Sequence, residues 1–254
     1  MAADLDGTLL PTGAPAPSAR TRAALRAVVA AGLRVVVATG RPGRQARRIT
    51  AGFGVDDLAV CSNGAEIYDL RTGTVVRRSF LAASAAREIV AGLRRRVPDA
   101  VFAWEDSDGI GQETLWDTPF AEPPAEVGDP AHLLDRPIGK LLVRHPVLGP
   151  AELAGHVRAV PGPTMTWSTG PVLEVLAAGV SKGSALASLS RGLGLAAHQV
   201  MAIGDAENDL SMLAFAGRAV AVGGAPARVR AAADLVTRQD DPDGVARVLE
   251  SLMG

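Results

Sequence analysis

The chain of 254 residues is poor in cysteine, because Cys61 is the only one. A single cysteine excludes an intramolecular disulfide and a zinc site built from several thiolates. No stretch reaches the ~18 uncharged apolar residues that a membrane-spanning helix needs. The N-terminus has no basic region followed by an apolar stretch of signal-peptide length. We therefore predict a cytoplasmic protein that has no membrane partner.

The chain also lacks an excess of either charge, since it has 26 basic and 27 acidic residues and a net charge of −1. This balance gives no reason to expect a nucleic-acid partner, and we predict none. Lysine is rare as well: Lys140 and Lys182 are the only two among the 26 basic residues. Because the chain otherwise uses arginine wherever either residue will serve, the two lysines indicate a specific requirement for lysine at these positions. The sequence leaves the oligomeric state open.

Short apolar runs alternate with amphipathic helical stretches in the first and last parts of the chain. Residues 35–37 form a β-branched run that is typical of a strand buried on both faces. Ser18 is a good N-cap for a helix that ends near Gly32. This alternation predicts an α/β fold with a doubly wound, Rossmann-like parallel sheet.

The composition changes in the middle of the chain, which holds six of the nine aromatic residues and a long polar stretch rich in Gly and Pro. We predict a core of residues 1–78 and 179–254 with a separate, inserted α+β module of residues 79–178. Trp104, Trp116 and Trp167 lie in this insertion. They either face a substrate or fill the small core of the insertion, and the sequence does not decide between the two.

Acidic residues follow the predicted core strands, at the sheet edge where doubly wound folds bind ligands. Asp4 and Asp6 start on one side of the first strand because side chains alternate along a strand, and Gly7 allows a sharp turn after them. Asp205 adds a third carboxylate from another strand end. Adjacent carboxylates repel unless a cation neutralises them, and clustered carboxylate oxygens favour a hard divalent ion such as Mg²⁺.

Groups that suit a phosphate occur at the same predicted edge. Thr39 offers a hydroxyl, and the backbone at Gly40 leads into a helix N-terminus, where the dipole favours an anion. Lys182 lies in the first turn of another helix, where a cation opposes the dipole. An anionic ligand explains this position best, and removal of Lys182 is expected to leave stability unharmed or slightly improved.

Five motifs resemble those of the haloacid dehalogenase superfamily and, more narrowly, its Cof-type sugar-phosphatase branch with a large α/β cap. The resemblance spans essentially the whole chain, and its first and last motifs are the most specific. It implies that residues 1–78 and 179–254 form the catalytic core and that residues 79–178 form the cap domain. The motifs are DLDGTLL (4–10), VATGR (37–41), SNGA (62–65), GVSKG (179–183) and IGDAEND (203–209).

This resemblance implies a Mg²⁺-dependent phosphatase that acts on a sugar phosphate or a similar small phosphorylated metabolite. It implies that Asp4 is the nucleophile that takes the phosphoryl group and that Asp6 is the acid/base. The implied metal ligands are the Asp4 carboxylate, the Asp6 main-chain carbonyl and Asp205, with support from Asp209. The implied phosphate contacts are the Leu5 main chain, Thr39, Gly40, Lys182 and Asn208.

Other functions of the same fold stay open. A sucrose-phosphate or mannosyl-phosphoglycerate phosphatase would share most of these motifs. A phosphomutase-type phosphotransferase is disfavoured, because residues 204–209 leave no room for the longer insertion of those enzymes. A non-enzymatic phospho-receiver module is disfavoured by Asp6, since a general base two residues after the nucleophile should hasten hydrolysis of an aspartyl phosphate.

Overall fold

The computed structural model describes residues 1–106, 109–157, 162–168, 170–239 and 241–253. Contacts divide the chain into two compact units, Met1–Arg77 with Ser181–Gly254 and Arg78–Val180. Each unit has its own sheet and its own hydrophobic core. No helix within these described ranges has the length and the apolar character that crossing a membrane would require.

Strands and helices alternate along much of the chain. In chain order, the strands of the described residues are β1 (Ala2–Ala3), β2 (Val36–Val37), β3 (Leu58–Cys61), β4 (Glu66–Asp69), β5 (Thr74–Arg78), β6 (Val101–Glu105), β7 (Ile110–Gln112), β8 (Glu126–Val127), β9 (Lys140–Arg144), β10 (Thr164–Thr166), β11 (Leu173–Leu176), β12 (Met201–Gly204), β13 (Arg218–Ala221) and β14 (Leu235–Val236). The α-helices are α1 (Ala19–Ala30), α2 (Gly43–Thr50), α3 (Ala83–Arg96), α4 (Pro130–Leu133), α5 (Pro150–Val157), α6 (Lys182–Gly192), α7 (Leu210–Phe215), α8 (Ala227–Ala231) and α9 (Gly244–Glu250).

A parallel sheet forms the centre of the first unit, with the strand order β14-β13-β12-β1-β2. β1 is short, yet it lies between two partners, with Ala2 opposite both Ala202 and Val36. β3, β4 and β5 form a separate three-stranded sheet. The Thr39 N–H continues the pairing from β2 to β3 by donating to the Val60 carbonyl over 2.8 Å.

The central strands are buried on both faces, as the β-branched run predicts. Val37 and Ile203 enter a hydrophobic cluster that contains residues of α1 and α9. Their neighbours Val36 and Ala202 enter a second cluster, which contains residues of α6 and α7. Because successive side chains of a strand point to opposite faces, helices cover both faces of the sheet. The doubly wound α/β fold is therefore confirmed.

Local sequence signals account for the boundaries of α1. The Ser18 hydroxyl accepts a hydrogen bond from the Thr21 N–H over 3.1 Å and caps the first turn. Gly32 has a φ of +85° just after the helix, a conformation that glycine adopts without strain. Leu25 and Val28 lie on the inner face and are fully buried. The Ser18 cap, the Gly32 end signal and the buried apolar face therefore all predict the same helix.

The second unit is an α+β domain. Its six-stranded sheet has the order β10-β11-β9-β6-β7-β8, and α3 and α5 contribute to the core on one face. The polar stretch after β6 supplies the short strands β7 and β8 and the helix α4. Gly111 in β7 is required, because a Cβ at this position would lie 2.1 Å from the Trp104 ring. The inserted α+β region that the sequence predicts is therefore present.

The tryptophans of this unit contribute mainly to packing. Trp104 is 1% exposed, belongs to the core cluster and donates its indole N–H to Glu126 over 2.8 Å. Trp116 stacks on Phe120 with ring centroids 5.6 Å apart. Trp167 packs partly buried against the core cluster. Of the two readings that the sequence leaves open, filling the core is the correct one for Trp104.

Candidate active site

The parallel sheet brings three of the predicted site residues to one edge. Asp4 follows β1, Thr39 follows the β2 region and Asp205 follows β12 directly. The Asp4 N–H donates to the Ile203 carbonyl over 2.9 Å, which extends the ladder to the last residue before the turn. Since these strands run parallel, their carboxyl ends lie at the same edge of the sheet. The predicted meeting of these segments follows from the topology.

Lys182 lies at the centre of the site and is 1% exposed. Its Nζ donates to Asp4 Oδ1 over 2.6 Å and to Asp209 Oδ1 over 2.7 Å. Burial disfavours the ammonium, yet the charges of Asp209 and Asp4 outweigh it and raise the pKa of Lys182 above its usual value. The ammonium is therefore charged and already paired.

These ion pairs correct the expectation that loss of Lys182 leaves stability unharmed. That expectation considered only the dipole of α6, at whose first residue Lys182 lies. The structure adds two buried carboxylates, Asp4 and Asp209, which would lose their counter-ion. An uncompensated buried charge costs more than a helix-dipole interaction returns. Lys182 is a structural as well as a candidate functional residue.

Asp205 depends on the turn that follows β1. Its Oδ1 accepts the Thr8 hydroxyl over 2.7 Å. Burial raises the pKa of Asp205 to about 6, although the bond from Thr8 opposes this shift. Gly7 has a φ of +88°, and a Cβ there would lie 2.3 Å from Asp205 Oδ2. The glycine is thus required both for the turn and for the space that the carboxylate occupies.

Asp209 supports the loop around Asp205. Its Oδ2 accepts the backbone N–H groups of Asp205 and Ala206 over 2.9 and 3.0 Å, while Oδ1 accepts from Lys182. Asp209 is fully buried. A carboxylate that holds three donors in place fixes the direction of its neighbours. This geometry favours a supporting position for Asp209 at the candidate metal site.

The oxygen atoms of this region suit a divalent cation. Asp4, Asp205 and Asp209, here called the acidic cluster, each place a carboxylate oxygen within 4.8 Å of the others. Burial also raises the pKa of Asp4 well above its usual range, and the charges of Asp209 and Asp205 add to this effect while Lys182 opposes it. Three carboxylates face one ammonium, so a further cation is electrostatically favourable. A donor set of oxygens alone fits a hard ion such as Mg²⁺.

The Asp6 carboxylate has a cationic partner of its own. It accepts two hydrogen bonds of 2.7 Å from Arg41, one from Nε and one from a terminal nitrogen. Asp6 is the principal cause that raises the pKa of Arg41, through hydrogen bonding and charge. Asp4 and Asp6 therefore have separate cationic partners, although the strand period predicts that they start on one side.

The candidate phosphate residues lie around Thr39 and Asn208. Thr39 is fully buried, and its hydroxyl oxygen accepts the Arg41 N–H over 3.1 Å. Asn208 donates its amide to Asn63 Oδ1 over 3.1 Å. A Cβ on Gly40 would lie 3.3 Å from Asn63 Oδ1. Leu5, the remaining candidate, is fully buried through its side chain, and its carbonyl accepts the Leu10 N–H over 2.7 Å.

Both lysines of the chain are buried ion-pair centres. In the second unit, Lys140 is 5% exposed and donates to Glu174 over 2.6 Å, with Glu105 at 3.7 Å. Lys182 likewise lies between two carboxylates. A compact ammonium fits such a space where a planar guanidinium would not. The scarcity of lysine thus marked two sites with the same physical requirement.

Three residues of this site had no assigned role in the sequence analysis. They are Thr8, Arg41 and Asn63. All three lie inside motifs that the sequence analysis identified, but their partners are distant along the chain: Thr8 and Asp205 are 197 positions apart. A local signal existed only for Asn63, because asparagine before glycine after an apolar strand favours a left-handed turn.

Comparison with known proteins identifies the family of this chain. Residues 1–249 match the family described as haloacid dehalogenase-like hydrolases. A pyridoxal phosphate phosphatase of Escherichia coli is 27% identical over 267 residues, which cover 99% of this chain and 97% of that protein. A chloroplastic endoribonuclease of Arabidopsis thaliana is 31% identical over 265 residues, which cover 96% of this chain. The chain spans only 44% of the length of that plant protein.

Solved structures share the architecture. A phosphatase of the haloalkanoate superfamily from Bacteroides thetaiotaomicron superposes with a TM-score of 0.84 at 26% identity, covering 99% of this chain and 94% of that one. The match includes both the parallel sheet and the inserted domain, because it extends over nearly the whole chain. The resemblance seen in the sequence motifs is therefore confirmed. The chain belongs to the haloacid dehalogenase superfamily, in its Cof-type branch of phosphatases.

Proposed function

We propose that this phosphatase depends on Mg²⁺ and hydrolyses a small phosphorylated metabolite through an aspartyl phosphate on Asp4. The proposal rests mainly on one observation: the buried Asp4 carboxylate is paired with Lys182 at the strand end where Asp205 also lies. A phosphoryl group placed there would meet a nucleophile, a cation and an oxygen cage for a metal ion. We further propose that residues 1–77 and 181–254 form the catalytic core and that Arg78–Val180 forms the cap.

In the first half-reaction, an Asp4 carboxylate oxygen attacks phosphorus. The Asp4 O–P bond forms while the P–O bond to the metabolite breaks, and the electron pair of the broken bond goes to the metabolite oxygen. The Asp6 carboxyl gives its proton to this oxygen. Lys182 and Thr39, with the backbone of Leu5 and Gly40 and the Asn208 amide, hold the phosphoryl oxygens.

In the second half-reaction, Asp6 acts as the base. It takes a proton from water while the water oxygen attacks phosphorus. The bond between phosphorus and Asp4 breaks, its electron pair returns to the Asp4 carboxylate, and inorganic phosphate leaves. Asp6 is thereby protonated again, ready for the next ester. The Asp6 side chain is 48% exposed, so water and a leaving group can reach it.

The acidic cluster would hold the metal ion through Asp4 and Asp205, with Asp209 fixing the loop and the Asp6 carbonyl as a further oxygen. A bound Mg²⁺ supplies positive charge that favours the ionised carboxylates and neutralises the transferred phosphoryl group. The raised pKa values of Asp4 and Asp205 support this assignment, because a cation relieves the cost of burying their charge.

The substrate class is a small phosphomonoester. The E. coli relative is named for pyridoxal phosphate, and it matches this chain from end to end. We propose a phosphorylated metabolite such as a sugar phosphate or a phosphorylated cofactor. Hydrolysis of p-nitrophenyl phosphate tests the reaction type, and a panel of phosphorylated metabolites tests the class. No phosphate release from any of these esters in the presence of Mg²⁺ would contradict the proposal.

Metal removal should abolish activity. Protein dialysed against EDTA should lose turnover of p-nitrophenyl phosphate, Mg²⁺ should restore it, and Ca²⁺ should restore little because its longer bonds relax the in-line geometry. Mg²⁺ should also raise the melting temperature, since the ion binds the folded state. Asp205→Asn should reduce this thermal shift. The control is Asp57→Asn, whose carboxylate pairs with Arg34 away from the cluster. Full activity in excess EDTA would refute the metal dependence.

Arg41 should matter most for poor leaving groups. Arg41→Lys keeps the charge but loses the two-point contact with Asp6, so the acid is less well oriented. We expect kcat/KM to fall about 10-fold for an alkyl phosphate, at the lower end of general acid–base contributions. The fall should be smaller for p-nitrophenyl phosphate, whose leaving group needs little protonation. The value of kcat/KM reports the steps up to departure of the leaving group. Equal losses with both esters would argue against an effect through Asp6.

A further inference from the structure

The turn Ser62–Gly64 after β3 has an unusual backbone. Three successive residues have positive φ angles: 49° at Ser62, 54° at Asn63 and 101° at Gly64. Ser62 and Asn63 are also buried, at 2% and 1% exposure. The left-handed region is uncommon for residues other than glycine, and such strain persists only where surrounding contacts enforce it. The contacts of this turn therefore indicate its role in the site.

The backbone of the turn is attached to the candidate phosphate loop of residues 39–41. The Asn63 N–H donates to the Thr39 carbonyl over 3.0 Å, and the Ser62 N–H donates to the Arg41 carbonyl over 2.8 Å. On its other side, a Cβ at Gly64 would lie 2.3 Å from the carbonyl oxygen of Ser181, the residue before Lys182. The turn is thus wedged between two segments that carry candidate phosphate ligands.

The side chain of Asn63 reaches a third such segment. Its Oδ1 accepts one N–H of Asn208 over 3.1 Å. The other end of that amide, Asn208 Oδ1, is buried and has no hydrogen-bond partner within the described part of the chain. A buried acceptor is normally paired, and this unpaired oxygen makes no contact that could fix the orientation of the Asn208 amide. The contact with Asn63 fixes it.

We propose that Asn63 is a positioning residue that orients the Asn208 amide toward phosphate. An amide nitrogen carries two hydrogens, and the bond to Asn63 uses one of them. The bond to Asn63 fixes the direction of the second hydrogen, which can then donate to a phosphoryl oxygen. Rotation of the amide would present an acceptor oxygen to an anion, which is repulsive. This inference rests on the proposed phosphatase function of the same site.

The residue type at position 63 suits this task. Asparagine tolerates a positive φ better than most residues, and it carries a neutral acceptor. Aspartate would place a negative charge close to the phosphate. The absence of a side chain at Gly40 gives the amide pair its space, because a Cβ there would lie 3.3 Å from Asn63 Oδ1 and 3.7 Å from Asn208 Nδ2. Side chain, backbone and neighbouring glycine are consistent with one arrangement.

A double-mutant cycle tests the inference. Asn63→Gly removes the amide and accepts the positive φ without strain, so the turn should still form, and a thermal melt checks that the variant is folded. The probe is inorganic phosphate, whose affinity is measured by calorimetry in the presence of Mg²⁺, beside kcat/KM for p-nitrophenyl phosphate. We expect each single variant, Asn63→Gly and Asn208→Ala, to lose about 10-fold in both quantities, which is the effect of one hydrogen bond to a charged group. The double variant should lose no more than Asn208→Ala alone.

A second pair of variants avoids the strained turn. Gly40→Ala should displace the amide pair by a few tenths of an ångström and weaken phosphate binding several-fold. In the Asn63→Gly background, Gly40→Ala should have little effect on phosphate affinity, because Asn63 Oδ1, the atom nearest the new methyl group, is absent. Additive losses in both pairs, or wild-type phosphate affinity in Asn63→Gly, would overturn the role of Asn63. A wild-type protein that binds phosphate without turnover contradicts only the proposed phosphatase reaction. A wild-type protein that does neither contradicts both.

Discussion

Replacing Asp4 with asparagine should abolish turnover of every phosphate ester and leave the fold intact. The neutral amide cannot form the O–P bond, so kcat should fall by at least about 10⁴-fold, as for loss of other catalytic nucleophiles. Stability should not suffer. Asp4 is a buried carboxyl with a raised pKa, and Asp209 still neutralises Lys182 after the change. The measurement is kcat for p-nitrophenyl phosphate beside a thermal melt without metal.

Asp6→Asn is the matched control for this variant. It keeps the nucleophile, so p-nitrophenyl phosphate, with its good leaving group, should still phosphorylate Asp4. Without the base, water attack on the aspartyl phosphate should slow by ~10² or more. Acid quenching should therefore trap a phosphorylated protein in Asp6→Asn and none in Asp4→Asn. Substantial Mg²⁺-dependent activity in folded Asp4→Asn would refute the covalent mechanism.

Lys182→Met should lose both activity and stability. The change leaves the buried carboxylates of Asp4 and Asp209 without their shared counter-ion. Breaking a buried ion pair in this way costs about 3–5 kcal/mol of unfolding free energy. Loss of a preorganised charge at the phosphate should also lower kcat/KM by 10²- to 10³-fold, roughly the cost of one oxyanion donor. Denaturant unfolding and steady-state kinetics measure the two effects separately.

Two conditions should reduce the stability loss of Lys182→Met. Lower pH is one, because burial raises the pKa of Asp4, and a group with a raised pKa in the folded state destabilises that state as pH rises through the titration range. Mg²⁺ is the other, because it replaces positive charge beside Asp4. A loss that does not change with pH or Mg²⁺ would show that the ion pairs are not its cause.

Lys140→Met provides the comparison, because Lys140 is the other buried lysine of the chain. The change removes the ion pairs of Lys140 with Glu174 and Glu105, so stability should fall here as well. Lys140 belongs to the second unit and has no part in the proposed chemistry. The folded fraction should therefore keep its kcat for p-nitrophenyl phosphate. Lys182→Arg should lose activity although it keeps the charge, because the bulkier group does not fit the closed space.

Local patterns were sufficient for much of the fold. The limits of α1 follow from Ser18 and Gly32, because a cap and an end signal act within a few residues. The order of strands and helices also led to the parallel sheet. The short strands β7 and β8 were not predicted, because their residues are polar and glycine-rich. Their pairing depends on β6 and on the room that Gly111 leaves for Trp104.

The sequence by itself determined the class of fold, the family and the acidic and basic residues at the strand ends, because each of these is written in a local motif. Only the tertiary structure decided the partners. Lys182 meets Asp4 across 178 positions, and Asn208 meets Asn63 across 145. Such contacts exist because parallel strands bring the ends of distant segments to one edge of the sheet. Burial at this edge strengthens the electrostatic interactions between the charged groups. The energetic weight of Lys182 and the position of Asn63 follow from that arrangement.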